Sequence, residues 1–273
     1  MTNELNMKRV LIMGASSGIG LGLAEALASR GVPVALAARH TEAFHELKRL
    51  YPDKIEYASI DITKPAAVQK FNDLIERLGG MDIYIHVAGI GMENLDLDPE
   101  VEVSMVRTNA EGFARMLSAA YRYFRARRKR GQIAAITSVA GTNGLGRLTA
   151  YSSTKRFGQT YMIALEQLAK AENSGITFTD IRPGWVKTPL LVEGNSYPME
   201  MTVPYVVPQI IRAIVRKRRV AVIDWRWNIL VAGWRLIPNS LWIHLNFPIS
   251  TPDAPLPPAS AYAADTAEEK AEK

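Results

Sequence analysis

The sequence predicts a single α/β domain with a doubly wound parallel sheet of about seven strands and helices on both faces. Short apolar runs alternate with longer segments of helical period, which is typical of successive strand–helix–strand units. The apolar runs are continuous, which is typical of strands buried on both faces. Because no internal repeat or linker interrupts the sequence of residues 1–248, we predict one domain there.

The predicted elements alternate in order along the chain. The strands are predicted at residues 9–13, 32–38, 55–60, 82–87, 132–137, 176–181 and 220–223. The helices are predicted at residues 18–30, 42–50, 65–78, 105–128 and 151–172. Residues 190–248 follow as a substrate lid and a helical extension. The last stretch is rich in proline, alanine and acidic residues, which predicts a flexible tail over residues 249–273.

The composition is that of an ordinary globular protein, with 48% hydrophobic and 22% charged residues in a chain of 273. The absence of cysteine excludes disulfides and thiolate metal centres, and we predict no metal site. The first apolar run is far shorter than the core of a secretory signal, so we expect a cytoplasmic protein. The formal charge of +6 favours phosphate-bearing ligands, nucleic acid or an anionic membrane, without choosing among them.

A glycine-rich turn separates the first predicted strand from the first helix. Glycines permit a tight turn and a close approach of the backbone to a pyrophosphate. The N-terminus of the following helix offers free N–H groups and a partial positive charge to phosphates. This position favours a dinucleotide site over a turn without a ligand. The predicted cofactor contacts are Gly14, Ser16, Ser17, Gly18, Ile19 and Gly20.

The end of the second predicted strand indicates which nicotinamide cofactor binds. NAD sites usually place an acidic residue there to accept a hydrogen bond from the ribose 2′-hydroxyl. This chain has Arg39 instead, and the first acid is Glu42. A guanidinium attracts the 2′-phosphate that a carboxylate would repel. The sequence therefore predicts NADPH or NADP as the cofactor, in preference to NAD.

Two residues four positions apart suggest the chemical centre. Tyr151 and Lys155 share one face of the predicted helix. A nearby ammonium should lower the pKa of the phenol toward the working range of a proton shuttle. Ser138 ends the fifth predicted strand, and strand ends of such a sheet face the ligand crevice. Because the tyrosine–lysine spacing alone is common on exposed helices, the prediction depends on this context.

The order and spacing of these motifs resemble the short-chain dehydrogenase/reductase family over residues 8 to about 190. The sequence departs from the family pattern at Met13, where a threonine is usual, and at His86-Val87, where two asparagines are usual. The motifs that carry the resemblance are the glycine turn from Gly14 to Gly20, Asn109, Ser138, Tyr151 with Lys155, and the run from Pro183 to Thr188.

The resemblance implies a Rossmann-like fold and a role for each motif residue. Tyr151 would donate a proton to the substrate carbonyl, and Ser138 would orient that carbonyl. Lys155 would bind the nicotinamide ribose and tune Tyr151, while Asn109 would hold a water of the proton relay. The further implied cofactor contacts are Asp61, Ile62, Ala88, Gly89, Pro183, Gly184, Val186 and Thr188.

The expected substrate is a small-molecule carbonyl or alcohol. Residues 190–203 lie where the family carries its variable lid, and they are rich in leucine, valine, tyrosine and methionine. An apolar or lipid-like substrate is therefore favoured over a charged one. The alternative is that these side chains only pack the lid.

The stretch 212–247 combines arginines with tryptophans. A stripe is predicted at Trp227, Leu230, Trp234, Ile237, Leu241 and Leu245. Tryptophan with basic flanks suits a peripheral membrane contact. The alternative is packing onto the cleft or a partner subunit, where tryptophan is also favoured. A homodimer or homotetramer is expected.

Other functions remain open at this point. The fold could serve a catalytically silent nucleotide sensor or scaffold. The presence of Ser138, Tyr151 and Lys155 argues against it, because a scaffold has no physical need of all three. Nucleic acid binding is suggested by charge alone, and we expect no such partner. An epimerase or dehydratase would need a larger C-terminal domain than residues 190–248 provide.

Overall fold

Seven parallel strands form the central sheet in the order β3-β2-β1-β4-β5-β6-β9. A computed structural model of the chain describes residue 5 and residues 8–127, 130–191 and 194–245. The strands of the sheet are β1 Val10–Met13, β2 Val34–Ala38, β3 Ile55–Ser59, β4 Ile83–His86, β5 Gln132–Ile136, β6 Thr177–Arg182 and β9 Val220–Val222. A separate parallel pair joins β7 Val186–Lys187 to β8 Met201–Thr202. The predicted sheet is confirmed, including its seventh strand.

Helices cover both faces of the sheet. The helices are α1 Gly18–Ala28, α2 Glu42–Leu50, α3 Ala67–Arg77, α4 Pro99–Val106, α5 Phe113–Ala126, α6 Thr149–Ala171, α7 Val203–Val215, α8 Trp225–Trp234 and α9 Asn239–Trp242. In β1, Val10 and Ile12 enter the core on the α1 and α7 side, while Leu11 and Met13 enter the core on the α5 side. This burial on both faces explains the continuous apolar runs.

The connection around β1 determines where a ligand can bind. The chain leaves β1 toward β2 and β3, then crosses back to place β4 on the other side of β1. The helices that follow β1 and β4 therefore diverge, and a crevice opens at the carboxyl ends of these two strands.

The predicted single helix over residues 105–128 is wrong at its start and in its continuity. Helix α4 already begins at Pro99, because the Asp98 side chain accepts a hydrogen bond from the Glu100 N–H at 2.9 Å. A π-helical turn at Arg107–Gly112 then separates α4 from α5. Such turns occur often at functional sites.

The predicted boundary near residue 190 falls in the lid, which β7 and β8 hold at its two ends. Among the described residues, no helix is both long enough and apolar enough to cross a bilayer. The tail predicted at residues 249–273 lies outside the described residues, so the proposed domain bounds stay a prediction.

Candidate functional site

A cavity of about 1820 Å³ opens at the carboxyl ends of the strands. Of the residues predicted for the site, all but Gly20 and Asn109 line it. The lining residues are Gly14, Ser16, Ser17, Gly18, Ile19, Arg39, Asp61, Ile62, Ala88, Gly89, Ser138, Tyr151, Lys155, Pro183, Gly184, Val186 and Thr188. Motifs separated by up to 174 positions in the sequence, from Gly14 to Thr188, thus meet around one space.

The glycine turn is closed by backbone contacts that leave no room for a side chain. Gly14 has φ +90°, and a β-carbon there would lie 2.3 Å from the Ala88 nitrogen. A β-carbon on Gly20 would lie 2.0 Å from the Gly14 carbonyl oxygen. The Gly14 N–H donates to the Ala37 carbonyl at 2.7 Å. This bond ties the turn where Met13 offers no hydroxyl.

The N-terminus of α1 faces the same cavity through Ser17 and Gly18. Ser17 is extended at φ −157°, and its side chain makes no capping hydrogen bond among the residues that the structure describes. The first turn of α1 contains no acidic residue. A β-carbon on Gly18 would lie 2.9 Å from the Thr188 side chain, so the turn and the segment after β7 nearly touch. The helix dipole and free N–H groups therefore fit a phosphate.

The end of the cavity beside β2 and β3 contains Arg39, His40 and Asp61. Arg39 is exposed, and its carbonyl accepts a hydrogen bond from the Ser59 hydroxyl at 2.8 Å. The Asp61 carboxylate accepts from the N–H and the hydroxyl of Thr63 at 2.9 and 2.7 Å. Arg39 thus lines the cavity as an exposed residue, while Asp61 shapes the following turn.

Tyr151, Ser138 and Lys155 converge at the inner end of the cavity. The Ser138 hydroxyl hydrogen-bonds the Tyr151 phenol. The Lys155 ammonium lies 5.5 Å from the centre of the phenol ring and donates to the Ile136 carbonyl at 3.3 Å. A β-carbon on Gly91 would lie 2.5 Å from the ring, so a glycine is required opposite the phenol. One proton donor, one hydroxyl and one cation are therefore grouped in a small space.

Burial has the largest effect on the pKa values of Tyr151 and Lys155. It raises the pKa of Tyr151, and the Ser138 hydrogen bond opposes the rise only in part. Burial also lowers the pKa of Lys155 to about 8, against the attraction of Asp180. The expectation that Lys155 lowers the pKa of the phenol is wrong for the net shift, because desolvation of the phenolate outweighs other influences. A neutral phenol at neutral pH is nonetheless suited to donating a proton.

Asn109 lies in the π-helical turn, just beneath the cavity lining. Its side chain accepts from the Ile90 N–H at 2.9 Å and donates to the Ile90 carbonyl at 2.7 Å. A third bond, at 3.2 Å, runs to the Thr154 hydroxyl of α6. Asn109 therefore fixes the loop after β4 against the helix that carries Tyr151. Its predicted role in holding a water stays a prediction.

His86 replaces the usual asparagine at the end of β4. Its ring is fully buried, with Nδ1 2.7 Å from the Tyr84 hydroxyl. Burial, with the nearby charge of Lys155, lowers the pKa of His86 to about 3. The imidazole is therefore neutral, and the pair of rings supports the floor beneath Ala88 and Gly89.

Aromatic side chains form part of the cavity wall. Trp185 and Tyr197 pack with ring centres 4.8 Å apart, and Trp227 and Trp234 complete the wall. Sequence reasoning placed Trp227 and Trp234 in a stripe of unknown partner. Only a contact map could have shown that they line the same cavity as Tyr151.

The first four residues of the stripe predicted in the C-terminal extension follow the packing alternative, and its last two are exposed. Trp227 is buried, and Leu230, Trp234 and Ile237 pack against core clusters, while Leu241 and Leu245 are exposed. The reason is that α8 and α9 fold back onto the loop after β5. Trp242 donates from its indole nitrogen to the Gly144 carbonyl at 2.6 Å. The tryptophans therefore pack onto the cleft.

One supporting residue was missed. Gln159 donates to the Ser138 carbonyl at 2.8 Å and is buried. It follows Lys155 by four positions on α6, so its place on the same helix face could have been found from the sequence.

A doubly wound sheet with a glycine-rich turn at its switch point and a tyrosine–lysine pair in the crevice defines a Rossmann-like oxidoreductase class. The profile of the short chain dehydrogenase family matches residues 8–197. The chain belongs to this family, and the resemblance inferred from the motifs is confirmed.

Relatives of similar length are found among curated proteins and solved structures. An uncharacterized oxidoreductase of Myxococcus xanthus is 32% identical over 247 residues, which cover 88% of this chain and 96% of that protein. A short chain dehydrogenase from Burkholderia cenocepacia, solved in complex with NADP, superposes with a TM-score of 0.76 at 20% identity, covering 89% of this chain and 99% of that chain. ElxO with NADP bound gives 0.71 at 22% identity, covering 81% and 99%. At these identities the structural likeness supports the fold.

Proposed function

We propose that the protein reduces a carbonyl group, or oxidises the matching alcohol, with NADPH or NADP as cofactor. The observation that carries the proposal is the convergence of Ser138, Tyr151 and Lys155 at the inner end of the cavity. A family relationship makes this chemistry the first candidate, and the named complexes of ElxO and the Burkholderia protein contain NADP.

The cavity has the features that a dinucleotide needs. A bound nicotinamide cofactor would supply the hydride. The glycine turn and the N-terminus of α1 would hold the pyrophosphate, and Arg39 would contact the 2′-phosphate. Lys155 would contact the nicotinamide ribose. The Val186 backbone and the Thr188 side chain would meet the carboxamide.

The residues of the chain would handle the proton. Tyr151 would donate its phenolic proton to the carbonyl oxygen of the substrate, and the Ser138 hydroxyl would orient that oxygen. Asn109 would hold a water through which the proton is replaced. The high pKa of Tyr151 keeps the donor protonated at neutral pH.

The aromatic wall supports an apolar substrate. The cavity that contains Tyr151 is also lined by Trp185, Tyr197, Trp227 and Trp234. Such an apolar surface favours apolar ligands. Arg147 lines no part of the cavity and is paired with Glu93 at 2.7 Å, so it is not positioned for a charged substrate.

The test is a screen of NADPH oxidation over ketones and aldehydes of graded chain length, with 3-ketoacyl, steroid and sugar ketones included. We expect turnover of apolar ketones. NADPH binding without turnover of any carbonyl or alcohol would favour the alternative, a catalytically silent nucleotide sensor or scaffold.

The cofactor preference gives a first prediction, on Arg39. The protein should bind NADPH about tenfold to a hundredfold more tightly than NADH, because a charged donor to the 2′-phosphate contributes roughly 1.5–3 kcal/mol. Arg39→Ala should remove most of that difference and leave NADH binding unchanged. Calorimetric titration with both cofactors measures it.

The matched control is Arg30→Ala, which removes an equal charge from an exposed arginine outside the cavity. It should leave both affinities as they are. Equal affinity for the two cofactors in the parent protein, or an equal loss in both variants, would refute the assignment of Arg39.

We also propose a peripheral lipid contact through the exposed apolar residues of the extension. Trp225, Ile229, Leu236 and Ile243 are 67%, 66%, 84% and 75% exposed. The cations at residues 216–219 precede β9 while α8 follows it, so strand β9 separates them from this apolar set. We therefore expect apolar insertion to contribute more than charge.

Vesicle co-sedimentation tests this contact. The protein should pellet with anionic liposomes, and Leu236→Glu should release it. Leu50→Glu is the control, since Leu50 is an exposed leucine on α2, 53% exposed. A protein that stays in the supernatant at low salt would show that the exposed set does not bind lipid. The homodimer or homotetramer likewise stays a prediction, for analytical ultracentrifugation.

A further inference from the structure

A buried ion pair lies on β6, close to the residues that contact Lys155. Arg182 donates to the Asp180 carboxylate at 2.7 Å, and their side chains are only 7% and 5% exposed. Burying two charges costs desolvation that their attraction often fails to offset. A charged pair that is kept buried in β6 therefore calls for another role.

The pair is connected to the site through the end of β5. Thr137 donates from its hydroxyl to Asp180 at 2.5 Å. The preceding residue, Ile136, accepts from the Lys155 ammonium at 3.3 Å, and the following residue is Ser138. Three consecutive residues thus receive Lys155, bind Asp180 and present the hydroxyl that touches Tyr151.

We propose that Asp180 is a positioning residue, which fixes the end of β5 and keeps the Lys155 ammonium charged beside Tyr151. It acts through Lys155 and Thr137 and does not itself line the cavity. This inference rests on the proposed function only for its kinetic consequence. The effect of Asp180 on the charge of Lys155 does not depend on which reaction the protein catalyses.

The charges around Lys155 support this role. Burial lowers the pKa of Lys155 to about 8, and Asp180 opposes that fall. From β4, His86 faces Lys155 as a neutral ring, because its own pKa is lowered to about 3. Tyr151 faces it from α6 as a neutral phenol. Among the titratable groups described around Lys155, Asp180 is the one whose charge favours the ammonium.

Further cations face the carboxylate itself. Arg182 binds it from the same strand, and Arg235, at the end of α8, interacts with Asp180, Arg182 and the Arg156 of α6. Neutralising Asp180 would therefore leave unbalanced positive charge near Lys155. Neutralising Arg182 would have the opposite effect: the Asp180 carboxylate would keep its negative charge, and one positive charge near Lys155 would be lost.

The deciding experiment measures the pH at which Lys155 becomes reactive. An amine-reactive acylating reagent modifies only the neutral amine, so the pH midpoint of labelling, quantified on the Lys155 peptide by mass spectrometry, follows its protonation. Full-length protein without substrate is used. Asp180→Asn should move the midpoint down by about one pH unit. Arg182→Gln should move it up.

Opposite shifts of the labelling midpoint in the two variants distinguish the proposed role from damage to the fold, because damage would move both midpoints in the same direction. The double variant Asp180→Asn/Arg182→Gln buries no charge at these positions, should fold if either single variant does not, and should fall between the two. Asp73→Asn is the control, an exposed carboxylate on α3. Unchanged midpoints, or one common shift, would overturn the proposal.

The kinetic readout is the basic limb of the pH profile for kcat/KM. Lys155 loses its proton at lower pH than Tyr151, whose pKa is raised, so this limb should follow the labelling midpoint in each variant. If the protein were not a carbonyl reductase, the labelling shifts would persist without any turnover. Failure of the proposed function is thus distinguishable from failure of this inference.

Discussion

Replacing Tyr151 with phenylalanine should reduce carbonyl reduction by about 10²–10⁴-fold, the range that a positioned proton donor contributes. The phenylalanine keeps the ring that packs against Gly91 and removes only the hydroxyl that Ser138 contacts. The fold and NADPH binding should therefore stay close to those of the parent protein. Stopped-flow measurement of NADPH oxidation, with calorimetric titration of NADPH, separates the two quantities.

Tyr161→Phe is the matched control for this change. Tyr161 lies on the same helix, where its ring stacks on Phe157 and packs edge-on against Phe113 outside the cavity. Its loss of a hydroxyl should leave kcat within about twofold, since the ring keeps its packing and the change lies outside the cavity. Substantial reduction by Tyr151→Phe would mean that the proton comes from another group.

The strands and the cavity lining could be predicted because each depends on a local rule. Continuous apolar runs identify strands buried on both faces, and β1 and β2 lie within a residue or two of the predicted bounds. The glycine turn and Ser138 follow strands of the parallel sheet, so the topology brings them to one edge. Thr188 was predicted from the family resemblance. The predicted lining needed the order of the elements and the family resemblance but no knowledge of side-chain contacts.

What sequence reasoning missed depends on contacts between distant segments. The pKa of Tyr151 is raised because the folded chain buries the phenol, and no spacing of residues reveals burial. The inward packing of Trp227 and Trp242 depends on α8 and α9 folding back over the loop after β5. Helix α4 was missed for a local reason, since Asp98-Pro99 is a recognisable start signal.

Asp180 illustrates a third case, in which an unusual residue is visible in the sequence but its role is not. A carboxylate inside a strand that is predicted to be buried is unusual, because charges are costly to bury. The residues that balance it are Thr137, directly after β5, and Arg182 of its own strand, and only their distances connect it with Lys155. A charged residue inside a buried strand is therefore a reason to examine which side chains lie at the end of the neighbouring strand.

The glycine turn provides the second large effect, through a comparison of two alanine variants. Gly14 and Gly31 both have positive φ, at +90° and +79°. Alanine costs about 1–2 kcal/mol in left-handed backbone at either position. A β-carbon at Gly31 would meet nothing within 4 Å, whereas at Gly14 it would lie 2.3 Å from the Ala88 backbone nitrogen. Overpacking of that kind adds about 1–3 kcal/mol.

Gly31→Ala should therefore lower Tm by a few degrees and leave NADPH affinity intact, while Gly14→Ala should lower Tm by on the order of 10 °C. Gly14→Ala should also weaken NADPH binding strongly, because the clash must move either the turn or the Ala88 loop, and both line the cavity. Thermal melting with and without NADPH measures both effects, since a ligand that binds only the folded state raises Tm. If Gly14→Ala melted and bound NADPH as Gly31→Ala does, the turn would tolerate a side chain, and the cofactor would have to be held elsewhere.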